Sequence, residues 1–272
     1  MVRVGFLQFR PVFGKVQYNL NKVVNALRNV SADIIVLPEL PFTGYYFKDR
    51  AELKLLAEEI KASSTVQALI KICREGDFYL VTGFAEKSAD KYFNSSLLIG
   101  PEGVIHTYRK LHLFNEEKNW FDPGDIPLQI NEIRGVKVGM MICFDWIFPE
   151  VFRVLSIMGA DLICHPSNLV LGYCQQTMIS RCLENSVFAV TANRFGADKR
   201  PQGEIVFTGK SQIVAPKGEL ICKAPSKREV LYVRDINIDL AKDKMMTPLN
   251  DILKDRRQEF YDILCSRGGH PN

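Results

Sequence analysis

No apolar run in this chain reaches the roughly 18 residues that a membrane-spanning helix requires, so nothing in it points to a bilayer as a partner. Neither sign of charge is concentrated. Lys and Arg number 35 against 31 Asp and Glu, for a net charge of +4. The basic residues are scattered, whereas nucleic-acid-binding proteins gather them into a stripe, and no nucleic-acid partner is expected. No G-x-G-x-x-G or G-x-x-x-x-G-K-[ST] follows any strand-like segment, which argues against nucleotide binders and oxidoreductases. C-x-x-C pairs are also missing. The seven cysteines (Cys73, Cys143, Cys164, Cys174, Cys182, Cys222 and Cys265) are odd in number and irregularly spaced, as expected of reduced thiols in a reducing compartment. Cys164, His165, Cys174 and Cys182 lie near one another in sequence but lack the short ligand spacings that converge on zinc, so no metal site is expected. Of the four histidines, His112 and His165 lack the surroundings of a papain-like Cys–His protease.

What remains is an ordinary globular composition, 47% hydrophobic and 24% charged over 272 residues, enough for a sizeable core. Met1 leads directly into strand-like sequence with no leader ahead of it, and the cytoplasm is the expected location. Short apolar, β-branched runs predict strands at 2–9, 33–37, 78–85, 95–99, 104–108, 136–143, 161–165, 187–192, 211–215 and 229–236. Val16, Leu20, Val23, Val24, Leu27 and Val30 form one helical face, and 51–74 holds one or two more helices. Pro149 suits the first turn of a helix ending near Gly159, and another helix is expected from about 175 to 186. Strands alternating with helices indicate an α/β fold.

Four segments recur in order. Val2-Arg3-Val4-Gly5 returns as Val136-Lys137-Val138-Gly139, and Asp33–Pro38 returns as Asp161–Pro166. Val81-Thr82 returns as Val190-Thr191, and Ser96-x-Leu98-x-x-Pro101-x-Gly103 as Ser211-x-Ile213-x-x-Pro216-x-Gly218. Two similar halves follow, each a sheet with helices on one face. Packed sheet to sheet they make helix–sheet–sheet–helix layers, with a site between matching strand ends. No linker separates the halves, so residues 1–272 are expected to form a single domain.

Three polar residues close apolar strands: Glu39, Lys110 and Cys143. Strand ends converge in α/β folds, so residues distant in sequence meet there. A thiol attacks only once deprotonated, and a neighbouring carboxylate can take its proton. An ammonium favours the thiolate and also stabilises oxyanion charge. Taken singly, such a cysteine is commonly just a small buried hydrophobe, and such charges are commonly solvated. Their surroundings decide the matter.

Pro38-Glu39 with Thr43-Gly44-Tyr45, then Tyr108-Arg109-Lys110-x-His112-Leu113, then Cys143-Phe144-Asp145-x-x-Phe148-Pro149-Glu150 resemble the three signature blocks of the nitrilase, or carbon–nitrogen hydrolase, superfamily. The similarity continues through Asn185, Thr191–Arg194 and Gly209-Lys210-Ser211 to Pro248-Leu249-Asn250 and Asp255-Arg256-Arg257, nearly the whole chain. The resemblance implies a four-layer α-β-β-α sandwich, usually paired into homodimers or larger homo-oligomers, with about 240–272 as a tail at the dimer interface. It implies Glu39 as general base, Lys110 as oxyanion partner, Cys143 as nucleophile and Glu117 as a second active-site glutamate, with Glu116 next door as the rival for that place. The main-chain N–H of Phe144 becomes the second oxyanion donor. Tyr45, Trp146 and Asn168 are candidates for the pocket wall. His165 is expected to be a hydrogen-bonded core residue, His112 to orient its strand end, and Arg181 and Glu184 to form a structural ion pair.

The implied activity is hydrolysis of a small linear amide or N-carbamoyl amine through an acyl-enzyme on Cys143, with no metal or organic cofactor. A nitrilase acting on a small aliphatic nitrile is the alternative, and a catalytically silent scaffold with the same fold is the remote one. Phe144-Asp145-Trp146 does not choose between amide and nitrile.

Overall fold

Ile34 and Val36 pack into one hydrophobic cluster while Ile35 and Leu37 pack into another. Successive side chains on a strand face opposite ways, so a strand buried on both sides lies between two layers. The computed structural model, which describes residues 1–264, is built on this pattern. Cys265 and the end of the expected tail lie outside the described residues.

The first half runs β1 (Val2–Gln8), α1 (Val16–Leu27), β2 (Ile34–Val36), α2 (Arg50–Leu56), α3 (Ser64–Gly76), β3 (Tyr79–Ser88), β4 (Lys91–Gly100), β5 (Gly103–Arg109) and the single-turn α4 (Glu117–Trp120). The second runs β6 (Ile130–Ile133), β7 (Val136–Met140), α5 (Pro149–Ile157), β8 (Leu162–Ser167), α6 (Cys174–Asn185) and β9 (Phe188–Asn193). A ribbon of β10 (Phe195–Arg200) and β11 (Gly203–Thr208) follows, then β12 (Gln212–Val214) and β13 (Leu220–Lys223). β14 (Val230–Ile236) returns to pair antiparallel with β1.

The strands form two six-stranded sheets, ordered β14-β1-β2-β3-β4-β5 and β13-β12-β9-β8-β7-β6. Each has a parallel centre, β1-β2-β3 or β7-β8-β9, flanked by antiparallel strands. The sequence echo maps onto this pattern. The paired segments fall on β1 and β7, β2 and β8, β3 and β9, and at β4 and β12, so the two halves share one topology. Contacts of β1 with β9 and of β2 and β3 with β8 join the sheets. Leu20, Val23 and Leu27 of α1 and Val66, Leu69 and Ile72 of α3 cover the outside of the first sheet, against Ile35 and Leu80. Val151, Phe152 and Leu155 of α5 and Met178 and Cys182 of α6 pack on the second. The layers are therefore α-β-β-α. Among the described residues no helix is long and apolar enough to cross a membrane.

Local signals set the ends. The helical stretch at 51–74 resolves into two helices, each opened by a side-chain cap. Asp49 accepts from the Glu52 N–H at 2.8 Å and Ser63 from the Val66 N–H at 3.0 Å. Pro149 opens α5, and Gly159, at φ +93°, lies just beyond its end. One boundary differs instructively. The strand expected over 136–143 stops at Met140, and Cys143 opens a 3-10 turn, Cys143–Ile147. The Asp145 carboxylate accepts the Ile142 N–H at 2.9 Å, and the Asp145 N–H donates to the Ile142 carbonyl at 3.0 Å. This local pair competes with the sheet and bends the chain out of it.

Gly83, in β3, packs against the turn that follows β2. A Cβ there would lie 2.4 Å from the Leu40 nitrogen and 2.6 Å from the Glu39 Cα. Gly83→Ala is therefore expected to lower stability by about 1–3 kcal/mol and to displace Glu39. Gly172→Ala, where nothing lies within 4 Å, is expected to stay within about 0.5 kcal/mol of wild type. Urea midpoints check this, and equal midpoints for the two variants would contradict the packing argument.

Candidate active site

Strand ends from both sheets deliver four ionisable groups to one buried place. Glu39 follows β2 through Leu37-Pro38. Its N–H donates to the Ser167 carbonyl at 3.4 Å, so the ends of the matching strands β2 and β8 touch. Lys110 follows β5, its N–H donating to Asn94 and its carbonyl accepting the Gly124 N–H, both at 2.9 Å. Glu117 begins α4 and Cys143 the turn after β7. All four are buried.

The Lys110 ammonium sits 2.7 Å from Glu39 Oε1 and 2.8 Å from Glu117 Oε1. Asn94 Nδ2 also donates to Glu39 Oε1, at 2.7 Å, and the Phe114 N–H donates to Glu117 Oε2 at 3.0 Å. Glu39 Oε2 is left without a hydrogen-bond partner among the described residues. Burial opposes charge on Lys110, but Glu117 and Glu39 outweigh it and hold the ammonium above its ordinary pKa. Burial, with the like charge of Glu39, raises the Glu117 carboxyl despite Lys110. The Cys143 thiol is pushed well above its usual range by burial and by the charge of Glu39, with Lys110 and the Asn168 main-chain N–H acting the other way. These effects disfavour the thiolate, and a carboxylate oxygen without a hydrogen-bond partner belongs to the same cluster.

Cys143 stands at φ +40°, a left-handed conformation that costs a non-glycine residue about 1–2 kcal/mol. Asp145 supports the bend. Besides Ile142, its carboxylate accepts the Tyr108 hydroxyl at 2.7 Å, His112 Nδ1–H at 2.8 Å and the His112 N–H at 3.2 Å. His112 stacks on Phe148 with ring centroids 3.6 Å apart. His112 thus ties the end of β5 to the Cys143 turn. Arg181 and Glu184 form the expected ion pair, at 3.1 Å.

The pocket residues gather here too. Tyr45 is buried in the same cluster, and burial together with the charges of Glu117 and Glu39 holds its hydroxyl well above its ordinary pKa. Phe144, Trp146 and Asn168 line a recess beside Cys143. The Asn168 side chain donates to the Glu39 carbonyl at 2.8 Å. A cavity of ≈ 340 Å³ adjoins, with Tyr45, Phe114, Trp120, Val170 and Ile205 as its apolar walls and Glu116 and Glu204 at its edge. Phe114 and Val170 border both spaces. The larger depression of ≈ 830 Å³, beside α3 and β5, includes none of these groups, so volume alone does not locate the chemistry. Glu117 rather than Glu116 reaches Lys110, since Glu116 is exposed.

Several contributors are not assigned from the sequence, the walls Phe114, Trp120 and Val170 among them. Asn94 is foreshadowed by the polar run Asn94-Ser95-Ser96 inside an otherwise apolar strand. Asp145 lies within the Cys143 block and has a partner on every side. Ile205, on the β10–β11 ribbon, carries no sequence signal for a pocket wall.

The raised thiol has a measurable consequence. Iodoacetamide is expected to alkylate Cys143 ahead of the fully buried Cys73, Cys164, Cys174 and Cys182. The rate should climb about tenfold per pH unit from pH 7 to 9, because the thiolate fraction is still growing there. A rate already flat at pH 6 would mean that the thiolate is held at rest.

A family profile described as carbon–nitrogen hydrolase matches residues 3–243. A nitrilase of Pyrococcus abyssi is 41% identical over 264 residues, covering 96% of this chain and 99% of that protein. An (R)-stereoselective amidase of a Pseudomonas species is 34% identical, covering 94% and 92%. The crystal structure of a Helicobacter pylori carbon–nitrogen hydrolase superposes with a TM-score of 0.89 over 98% of this chain and 99% of that one, at 24% identity. With a profile match and two such relatives spanning almost its full length, the chain belongs to the carbon–nitrogen hydrolase family and is an enzyme of that class.

Proposed function

We propose that the enzyme hydrolyses a small linear amide or N-carbamoyl amine, using Cys143 as nucleophile, Glu39 as general base and Lys110 with the Phe144 N–H as oxyanion donors. The observation that carries this reading is the buried ammonium, 2.7 and 2.8 Å from two carboxylates, in the same cluster as a thiol at a strained strand end. Glu39 Oε2 takes the Sγ proton as sulfur attacks the substrate carbon. Charge then develops on the carbonyl oxygen beside Lys110 and the Phe144 N–H. Glu39 returns the proton to the departing amine, or Glu117 supplies one and takes over the proton held by Glu39, leaving a thioester on Cys143 and Glu39 free to act again. Water, deprotonated by Glu39, attacks the thioester and releases the acid and the free thiol. The walls of Tyr45, Phe114, Trp120, Val170 and Ile205 suit a short apolar chain on the substrate.

A nitrile is the second reading, favoured by the 41% identity to a protein named nitrilase; the amidase at 34% identity favours the first. Ammonia release from a panel of aliphatic amides, N-carbamoyl amines and nitriles, with the acid identified, separates them. Cys143→Ala is expected to abolish turnover of every substrate in the panel while leaving the fold intact. An active Cys143→Ala enzyme would end the thiol mechanism.

The two glutamates are expected to differ in kind. Glu39→Gln should slow acylation even by an activated ester, by about 100- to 10,000-fold. Glu117→Gln should harm amides much more than activated esters, because an activated leaving group needs little protonation. Burst kinetics resolve the two. Glu116→Gln, at an exposed position, should stay near wild type, and an inactive Glu116→Gln beside an active Glu117→Gln would reverse the assignment.

A further inference from the structure

His165 has no part in the cycle above, yet its ring reaches the nucleophile's own peptide. It is fully buried on β8, and its Nε2 lies 3.0 Å from the Cys143 carbonyl oxygen. A carbonyl only accepts, so Nε2 carries the proton in this bond. The other contacts agree. Nδ1 lies 3.1 Å from Thr191 Oγ1, a hydroxyl able to donate to it. Ser167 Oγ is 3.0 Å from Nε2 and 3.3 Å from the His165 carbonyl, so it can donate to the carbonyl while accepting from the ring. Burial lowers the ring's pKa to about 4, which keeps a single ring proton, on Nε2, at neutral pH.

The carbonyl in question belongs to the peptide that joins Cys143 to Phe144. That peptide is planar and trans, so its C=O and N–H point in opposite directions. Fixing the carbonyl towards His165 in the core turns the Phe144 N–H away from the core, to the side where Phe144, Asn168 and Cys143 line the recess. The 3-10 turn does not consume this N–H, because its first bond runs from the Asp145 N–H to the Ile142 carbonyl. The same peptide follows the left-handed Cys143 at φ +40°, a conformation that persists only where its surroundings enforce it.

We infer that His165 is a positioning residue for the oxyanion site: by donating from Nε2 to the Cys143 carbonyl it aims the Phe144 N–H at the developing negative charge. It touches no substrate and passes no proton. The inference rests on the thiol mechanism proposed above and adds to it a residue on β8, the strand beside the one that leads to Cys143, held by Thr191 from the neighbouring strand β9.

The test compares His165→Asn with His165→Gln in the full-length enzyme, using p-nitrophenyl acetate as the acylating probe. A glutamine amide extends to the place of Nε2, whereas an asparagine amide extends only to that of Nδ1. His165→Asn is expected to slow burst acylation about 10- to 100-fold, within the range for disturbing one oxyanion donor, with KM changed less than about twofold. His165→Gln should restore the rate to within about threefold of wild type. Alkylation of Cys143 by iodoacetamide forms no oxyanion, so its rate should match wild type in both variants, a result that a general loss of packing would not give. Acylation by His165→Asn within threefold of wild type would overturn the inference, as would equal losses in the two variants. If His165→Asn does not fold, Thr191→Val decides. It leaves the ring in place but removes the hydroxyl that fixes its proton, so acylation should fall severalfold at constant KM, and an unchanged rate overturns the inference. Cys143→Ala separates the two levels. Full acylation without the thiol sinks the mechanism itself, whereas a dead Cys143→Ala beside a normal His165→Asn removes only the role of His165.

Discussion

A lysine ammonium enclosed by two carboxylates, all three side chains out of contact with water, is the constraint on which this structure turns. Taking such charges from water costs several kcal/mol each, and mutual attraction repays it only when the geometry is close and the remaining lone pairs are satisfied. The surroundings supply that geometry. Asn94 and the Phe114 N–H occupy carboxylate oxygens, and Gly124 closes on the strand end before Lys110. A Cβ at Gly124 would fall 2.2 Å from the Arg109 carbonyl oxygen. Gly83 does the same beneath Glu39. Two glycines are thus required by close backbone approach on either side of one ion cluster. Two carboxylates facing one ammonium also leave the cluster with an excess of negative charge. Burial, joined by this excess, raises the Glu117 carboxyl and disfavours a thiolate at Cys143.

Much of this was legible because it follows from period and position. Both faces of β2 are buried, so the run Asp33–Leu37 reads as a strand whatever surrounds it. An ionisable residue immediately after such a run has to be placed at a sheet edge. The repeated segments gave the doubled topology, since they fall on equivalent strands of the two sheets. The ribbon β10–β11 was not legible. Phe195–Arg200 is half-exposed, polar and interrupted by Gly196, and Gly203 opens its return strand, so it has the composition of a loop. α4 is four residues long, barely one helical turn, so no apolar periodicity can repeat within it. The strand expected to reach Cys143 stops at Met140 for a reason that apolar periodicity does not carry. The decisive bond is made by a side chain, Asp145, two residues beyond Cys143.

Asp145 and His165 divide the work of holding one strained bend. Asp145 secures the amide before Cys143 and links it to Tyr108 and His112, on the segment that carries Lys110. His165 meets the carbonyl after it, from the second sheet. A left-handed cysteine between two fixed peptides has little freedom left, which is how a conformation costing about 1–2 kcal/mol becomes the populated one. The position of sulfur relative to Lys110 is therefore set by main-chain hydrogen bonds on both sides, with no reliance on the thiol's own weak ones.

The doubling of the fold raises the question of why the described residues hold one such cluster and not two. The repeated segments align Glu39 with Ser167 and, by the offset that pairs Gly5 with Gly139, Cys143 with Phe9. Ala224 follows β13 as Lys110 follows β5. Glu39, Cys143 and Lys110 are thus each matched by a neutral residue in the other half, and Gly83 by Ala192, where no close approach of a glutamate backbone has to be accommodated. The polar groups near that second position bond to one another instead. Gln8 donates to the carbonyls of Pro225 and Arg228 at 2.7 and 2.8 Å and accepts from Ser211 at 2.9 Å. A second buried ion cluster would have to repay its own desolvation, whereas satisfied neutral hydrogen bonds carry no such cost. Each half therefore keeps the same strands but contributes unequally. The first provides Glu39 and the ammonium, and the second provides the thiol together with Ser167, Asn168 and His165, whose hydrogen bonds reach the main chain of Glu39 and Cys143 or the His165 ring.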